Sequence, residues 1–239
     1  MNAAAGESVI ELDHVSVRHA AADREVVALD DVSLVTAARK IAVIGLNGSG
    51  KSTFARLLNG LRTPTSGRVT VGGLDAAKDV RALRRRVGFV FTNPDAQIVM
   101  PTVAEDVAFS LRGRGLSRAE IAERVGLVLA ENGLADRADV PAHDLSGGQK
   151  QLLAIASVLA AGPSLVVADE PTTLLDARNA RRIGDLLLGL PQQSVIVTHD
   201  LRLAAACDEA LLFDRGRLVT AGEPAPVVDR YLAEVVAAP

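Results

Sequence analysis

Gly45-Leu46-Asn47-Gly48-Ser49-Gly50-Lys51-Ser52-Thr53 decides the fold of this chain, because few sequences other than a phosphate cradle need that order of glycines, lysine and hydroxyls. It fits G-x-x-x-x-G-K-[ST], with Gly45, Gly50, Lys51 and Ser52 at the fixed positions. Lys40-Ile41-Ala42-Val43-Ile44 before it reads as a buried strand, and Phe54 onward reads as a helix. Gly45, Gly48 and Gly50 let the backbone turn its N–H groups inward, and the helix start adds the positive end of a dipole. Asn47, Ser49 and Thr53 complete the expected phosphate-binding set. Lys51 is placed to reach the β- and γ-phosphates, and the Ser52 hydroxyl to ligate Mg²⁺. The plain alternative is a glycine-rich turn that matches by accident, and the correct order of strand and helix weighs against it. The stretch predicts a nucleoside-triphosphate site.

The chain around it has 239 residues, 49% of them hydrophobic, enough for one large domain with a subdomain. With five Phe, one Tyr and no Trp, the core must be built from Ala, Val, Leu and Ile. A net charge of −3 argues against a general nucleic-acid-binding surface, and no nucleic-acid partner is expected. Cys207, the single cysteine, has no partner for an intramolecular disulfide, which fits a reducing compartment. The first residues carry no basic and apolar signal pattern, and no apolar run approaches the ~20 residues of a membrane helix. These features predict a soluble, cytoplasmic chain that docks on something else.

Working outward, Ile10–Val17 and Val32–Val35 read as strands of an antiparallel layer beside the nucleotide. Arg68–Gly73 is a short strand with a glycine turn, and Val87–Phe91 a buried strand. From Thr92 to about Leu145 strand patterns give way to helical ones, with a capping box at Ser117-Arg118-Ala119-Glu120 opening a helix toward Asn132-Gly133. Beyond it come a helix over 148–161, a strand over 164–168, a helix over 176–188, a strand over 194–197 and a hairpin at Asp214-Arg215-Gly216. Strands alternating with helices predict an α/β fold with a mainly parallel sheet. The expected division is a catalytic core with an antiparallel β layer over 1–91 and 146–239, and an inserted helical subdomain over 92–145.

Leu165-Val166-Val167-Ala168 runs into two carboxylates. In a phosphate-loop protein Asp169 holds Mg²⁺ and Glu170 polarises the attacking water. Acidic residues closing a strand are common by themselves; in the same sheet as a phosphate loop they favour metal and base.

Leu145-Ser146-Gly147-Gly148-Gln149-Lys150-Gln151 begins a second glycine-rich helix, Ser146 lying 95 residues after Lys51 and 23 before Asp169. This resembles the signature motif of ATP-binding-cassette ATPases. The likeness implies a P-loop fold, ATP and Mg²⁺ as ligands, and a dimer in which Ser146, Gly147, Gly148 and Gln149 close on the ATP of the partner subunit. It also implies a loop aspartate at Asp176 and a γ-phosphate-sensing histidine at His199. His19 stands where relatives carry an adenine-stacking aromatic; stacking and simple loop solvation are both open for an imidazole there.

Phe91-Thr92-Asn93-Pro94-Asp95-Ala96-Gln97 resembles the F-Q-N-P-D-x-Q stretch of energy-coupling factor importers, and within that branch the ATPase subunits of biotin importers are the nearest likeness. The resemblance extends from about Val9 to Leu232. It implies uptake of a vitamin, biotin first, or of cobalt or nickel ions. It further implies a transmembrane coupling protein, a substrate-binding membrane protein, and a peripheral position on the cytoplasmic face of the membrane. Both half-sites are largely intact, which favours a homodimer over a heterodimer with a second such ATPase. Asp95, Gln97 and Met100 are the expected contacts with the membrane partner. Two departures stand out. Thr92 replaces the family's loop glutamine, so a water-bridged contact with the metal is expected there. Thr173-Leu174 replaces the commoner Ser-Gly.

The rival function is a soluble ATPase of the same family, in iron–sulfur assembly or another non-transport process. Repair relatives insert long coiled coils before the signature, and no sustained heptads occur here. Arg84-Arg85-Arg86 reads as a solvated face.

Overall fold

The structure is a computed structural model and describes residues 8–21 and 24–236. Its centre is a six-stranded sheet built on β3 (Lys40–Ile44), β6 (Val87–Val90), β7 (Leu165–Asp169), β8 (Gln193–Val197), β9 (Glu209–Asp214) and β10 (Arg217–Gly222). The order across the sheet is β10-β9-β3-β8-β7-β6; all neighbours are parallel except the β9–β10 hairpin. Alternation along each strand feeds two cores. Ile41, Val43, Val167, Val195 and Phe213 face one side; Ala42, Ile44, Val166, Ile196 and Leu212 face the other. Both faces are covered, so these strands are apolar throughout rather than every second residue.

On the first face lies a second, antiparallel sheet of order β2-β1-β4-β5, formed by β1 (Ile10–Ala21), β2 (Arg24–Thr36), β4 (Ser66–Val71) and β5 (Leu74–Asp75). Helices α1 (Lys51–Leu57) and α2 (Val80–Arg86) fill the space between, through Phe54, Leu57 and Leu83. The Phe54 and Phe213 rings meet at 5.2 Å between centroids. Two of the three arginines ending α2 are spent locally: Arg84 donates to Gly60 O and Arg86 to Gly72 O. They tie exposed turns to the helix. Strands β1 and β2 run longer than their alternation suggested because bulges at Leu12–Val15 and Val15–Val17 break the period.

On the second face are α3 (Val103–Ser110), α4 (Arg118–Glu131), α5 (Gly147–Ala160), α6 (Ala177–Gly189), α7 (Leu201–Ala205) and α8 (Pro224–Arg230). Between β6 and α5 the chain forms α3, α4, short 3₁₀ turns and one isolated bridge, Thr102 to Pro141. Reciprocal capping boxes start α3, α4 and α5: Thr102 with Glu105, Ser117 with Glu120, and Ser146 with Gln149. Buried Asp106 binds this region together. One carboxylate oxygen accepts from the backbone N–H groups of Val99 and Met100, and the other from the Ser157 hydroxyl of α5 at 2.8 Å.

Among the described residues no helix is long and apolar enough to cross a membrane.

Candidate active site

Four neighbouring strands, β3, β8, β7 and β6, run parallel, so their carboxyl ends open on the same edge of the sheet. Each delivers one part of the site within two residues of its end: the phosphate loop after β3, His199 after β8, Asp169 and Glu170 at the end of β7, and Thr92 after β6. Ligands in parallel α/β sheets bind outside such ends.

The phosphate loop turns through left-handed or glycine-only backbone at Gly45, Gly48 and Gly50. Gly45 is packed hardest: a Cβ there would stand 2.1 Å from Phe213 O. α1 starts at Lys51, three residues earlier than its sequence pattern indicated, and Gly50 caps it with no side chain, leaving its first N–H groups free for a ligand. Asn47 through Thr53 line a cleft of about 380 Å³, whose other walls are His19, Val26, Val27 and Ala28 of the antiparallel sheet and Glu170. His19 thus lies on the cleft wall, and its Nδ1 is buried without a hydrogen-bond partner. The Lys51 ammonium is buried and donates to Gly45 O and Leu46 O, both at 2.9 Å. Burial lowers its pKa, and the charges of Glu170 and Asp169 oppose that shift.

Asp169 is 1% exposed, and its Oδ1 accepts from the Ser52 hydroxyl at 2.7 Å. Burial raises its pKa; the Ser52 hydrogen bond and the Arg56 guanidinium, 3.6 Å from Oδ2, pull the other way. A hydroxyl and a carboxylate converging beside a phosphate loop form a set of hard oxygen donors suited to a small divalent cation that takes its remaining ligands from phosphate and water. Glu170 adopts φ 51, a left-handed conformation that non-glycine residues rarely hold and that clusters at functional sites. Its Oε1 lies 3.0 Å from His199 Nε2, and its Oε2 accepts from the Thr173 hydroxyl at 3.1 Å.

The Thr92 hydroxyl donates to the backbone carbonyl of Asp169 at 2.7 Å. This bond ties Thr92 to the end of β7 and uses its one donor, leaving the hydroxyl oxygen free to accept from a water. Gln97 is half-buried; its Oε1 accepts from Phe91 N–H at 3.0 Å and its Nε2 donates to Ala154 O of α5 at 3.2 Å. Gln151 of α5 reaches Phe91 O from the other side. Asp95 is exposed and paired with Lys150 at 2.8 Å, Met100 is half-buried, and Val99 is exposed. Replacing Thr92 with Ala removes one hydrogen bond, worth about 1 kcal/mol net. The variant should hydrolyse ATP at a reduced rate and be much milder than Lys51→Ala. Complete loss in both, in a phosphate-release assay, would make Thr92 a direct metal ligand.

Ser146, Gly147, Gly148 and Gln149 do not line the cleft. Ser146 and Gly147 are exposed at the start of α5, and Gly148 is buried against α6, where a Cβ would stand 2.5 Å from Asn179 Cγ. Asp176 caps α6 through Asn179 N–H at 2.8 Å and the Asn179 amide at 2.7 Å, and these bonds hold its carboxyl below the usual range. Sequence reasoning did not find Arg56, Thr173 or Gln151 as neighbours of the site; only for Arg56, one helical turn after Ser52, was there a spacing signal.

A family model described as ABC transporter matches residues 29–173. The biotin transport ATP-binding protein BioM of Rhizobium etli is 48% identical over 175 residues, 73% of this chain and 78% of that protein. The energy-coupling factor transporter ATP-binding protein EcfA1 of Lactobacillus delbrueckii subsp. bulgaricus is 40% identical over 176 residues, 70% of this chain and 62% of that protein. Among solved structures, the dimeric post-hydrolysis state of the ATP-binding cassette MJ0796 bound to ADP and Pi gives a TM-score of 0.79 at 28% identity, covering 90% of this chain and 98% of that one.

Proposed function

The chain belongs to the ATP-binding-cassette family of transporter ATPases, and from that footing we propose that it powers an energy-coupling factor importer for biotin, with another vitamin, cobalt or nickel as the alternative cargo. The observation that carries the chemistry is the convergence of phosphate loop, Asp169, Glu170 and His199 at the ends of neighbouring parallel strands. In this reading the loop N–H groups and Lys51 bind the ATP phosphates, and His19 borders the adenine. Ser52 and Asp169 hold Mg²⁺, which when bound offsets phosphate charge. Glu170 accepts a proton from the attacking water, and His199 orients both Glu170 and the terminal phosphate.

Signature residues 146–149 are not among the residues lining the cleft of their own chain, and in this reading they act on the ATP of a second copy in a homodimer. The chain sits peripherally on the cytoplasmic face of the membrane, against a transmembrane coupling protein that works with a substrate-binding membrane protein. Support for this branch comes from the Phe91–Gln97 stretch and from the BioM and EcfA1 relatives. Val99 and Met100 are the apolar groups offered to a helix of the membrane partner, and Asp95 and the half-buried Gln97 the polar ones.

Joint replacement of Val99 by Arg and Met100 by Glu should abolish uptake of labelled biotin and membrane recruitment in cells that supply the membrane partners. ATP binding by the purified chain should persist. Full uptake by that variant would place the docking surface elsewhere, and uptake of labelled cobalt or nickel in place of biotin would correct the cargo.

A further inference from the structure

Glu170 is held on both oxygens, and only one of the two donors belongs to the machinery described so far. His199 Nε2 meets Oε1 at 3.0 Å, while the Thr173 hydroxyl donates to Oε2 at 3.1 Å. A carboxylate bound at one oxygen still rotates about its last torsion, whose energy profile is broad. Donors on both oxygens stop that rotation and leave further acceptor sites free, since a carboxylate has about four. Thr173 is well placed to do this. Its backbone N–H closes a turn on Glu170 O at 3.4 Å, so one short turn sets both the strained backbone of Glu170 and the hydroxyl that restrains its side chain. As a β-branched residue, Thr173 has few χ1 wells, which fixes the direction of its hydroxyl.

We propose that Thr173 is a positioning residue for ATP hydrolysis, fixing the plane of the Glu170 carboxylate so that a free lone pair faces the cleft. This rests on Glu170 being the general base.

The test compares Thr173→Val, which keeps the shape and removes the hydroxyl, with Thr173→Ser, which keeps the hydroxyl. Thr173 is exposed, so both variants should fold. The valine variant should lose about tenfold in kcat, the scale of one net hydrogen bond, with KM and Kd for ATP unchanged. The serine variant should recover most of that loss, and Thr173→Val added to Glu170→Gln should cost nothing further. Unchanged kcat in the valine variant, or equal losses in valine and serine, would overturn the role of Thr173. Wild-type turnover in Glu170→Gln alone would instead remove the general-base reading.

Discussion

Glu170→Gln is expected to keep ATP binding and slow turnover by about 10²-fold or more. The amide has nearly the shape of the carboxylate and fits the same space between His199 and Thr173. It has no lone pair basic enough to take a proton from water, so the loss falls on the chemical step. Nucleotide binding by the loop and Lys51 involves other atoms and should be preserved. Single-turnover hydrolysis measured beside equilibrium ATP binding separates the two effects. Equal losses in both would point to a structural role for Glu170.

The second large effect is expected from Gly45→Ala. The new methyl group would stand 2.1 Å from the Phe213 carbonyl oxygen and 2.7 Å from the Ser49 hydroxyl, at a backbone φ of +146°. The carbonyl belongs to β9, which is hydrogen-bonded to β3 on one side and β10 on the other and has little room to move. The loop must yield instead. ATP affinity should fall at least tenfold, and the thermal midpoint by several degrees, the shift that about 2 kcal/mol produces in a domain of this size. Gly48→Ala is the control. A Cβ there meets nothing within 4 Å, so only the cost of a left-handed residue, about 1–2 kcal/mol, remains. Equal affinity losses in the two variants would mean that crowding against β9 does not shape the loop.

Much of this arrangement was legible from local patterns. Apolar runs ending in glycine or in paired carboxylates marked β3 and β7, and the Ser117–Glu120 box marked the start of α4. The same S/T-x-x-E signal was present at Thr102–Glu105 and would have placed α3. What stayed hidden lies in side-chain bonds across long sequence separations. Thr92 meets a carbonyl 77 residues away and Gln97 one 57 residues away. Periodicity shows which side of an element is buried but carries no information on which distant carbonyl a polar side chain will find. The internal bonds of the Gln97 amide went unread for that reason. Thr173 was noticed as a departure from a pattern, yet its bond to Glu170 depends on a left-handed turn that no residue type there announces.

The central claim is that each ATP site is completed by the signature of a second copy, and the molar mass of Glu170→Gln in solution tests it most directly. Slow hydrolysis in this variant should let the ATP-bound assembly accumulate. Light scattering should then show the mass of two copies with Mg-ATP and of one copy without nucleotide. Adding Ser146→Arg, which puts a bulky charge on the exposed start of α5, outside the lining of the chain's own cleft, should leave ATP binding intact and abolish the doubling. A variant that binds Mg-ATP as a single copy, or that pairs equally well without nucleotide and with Arg at position 146, would contradict the account.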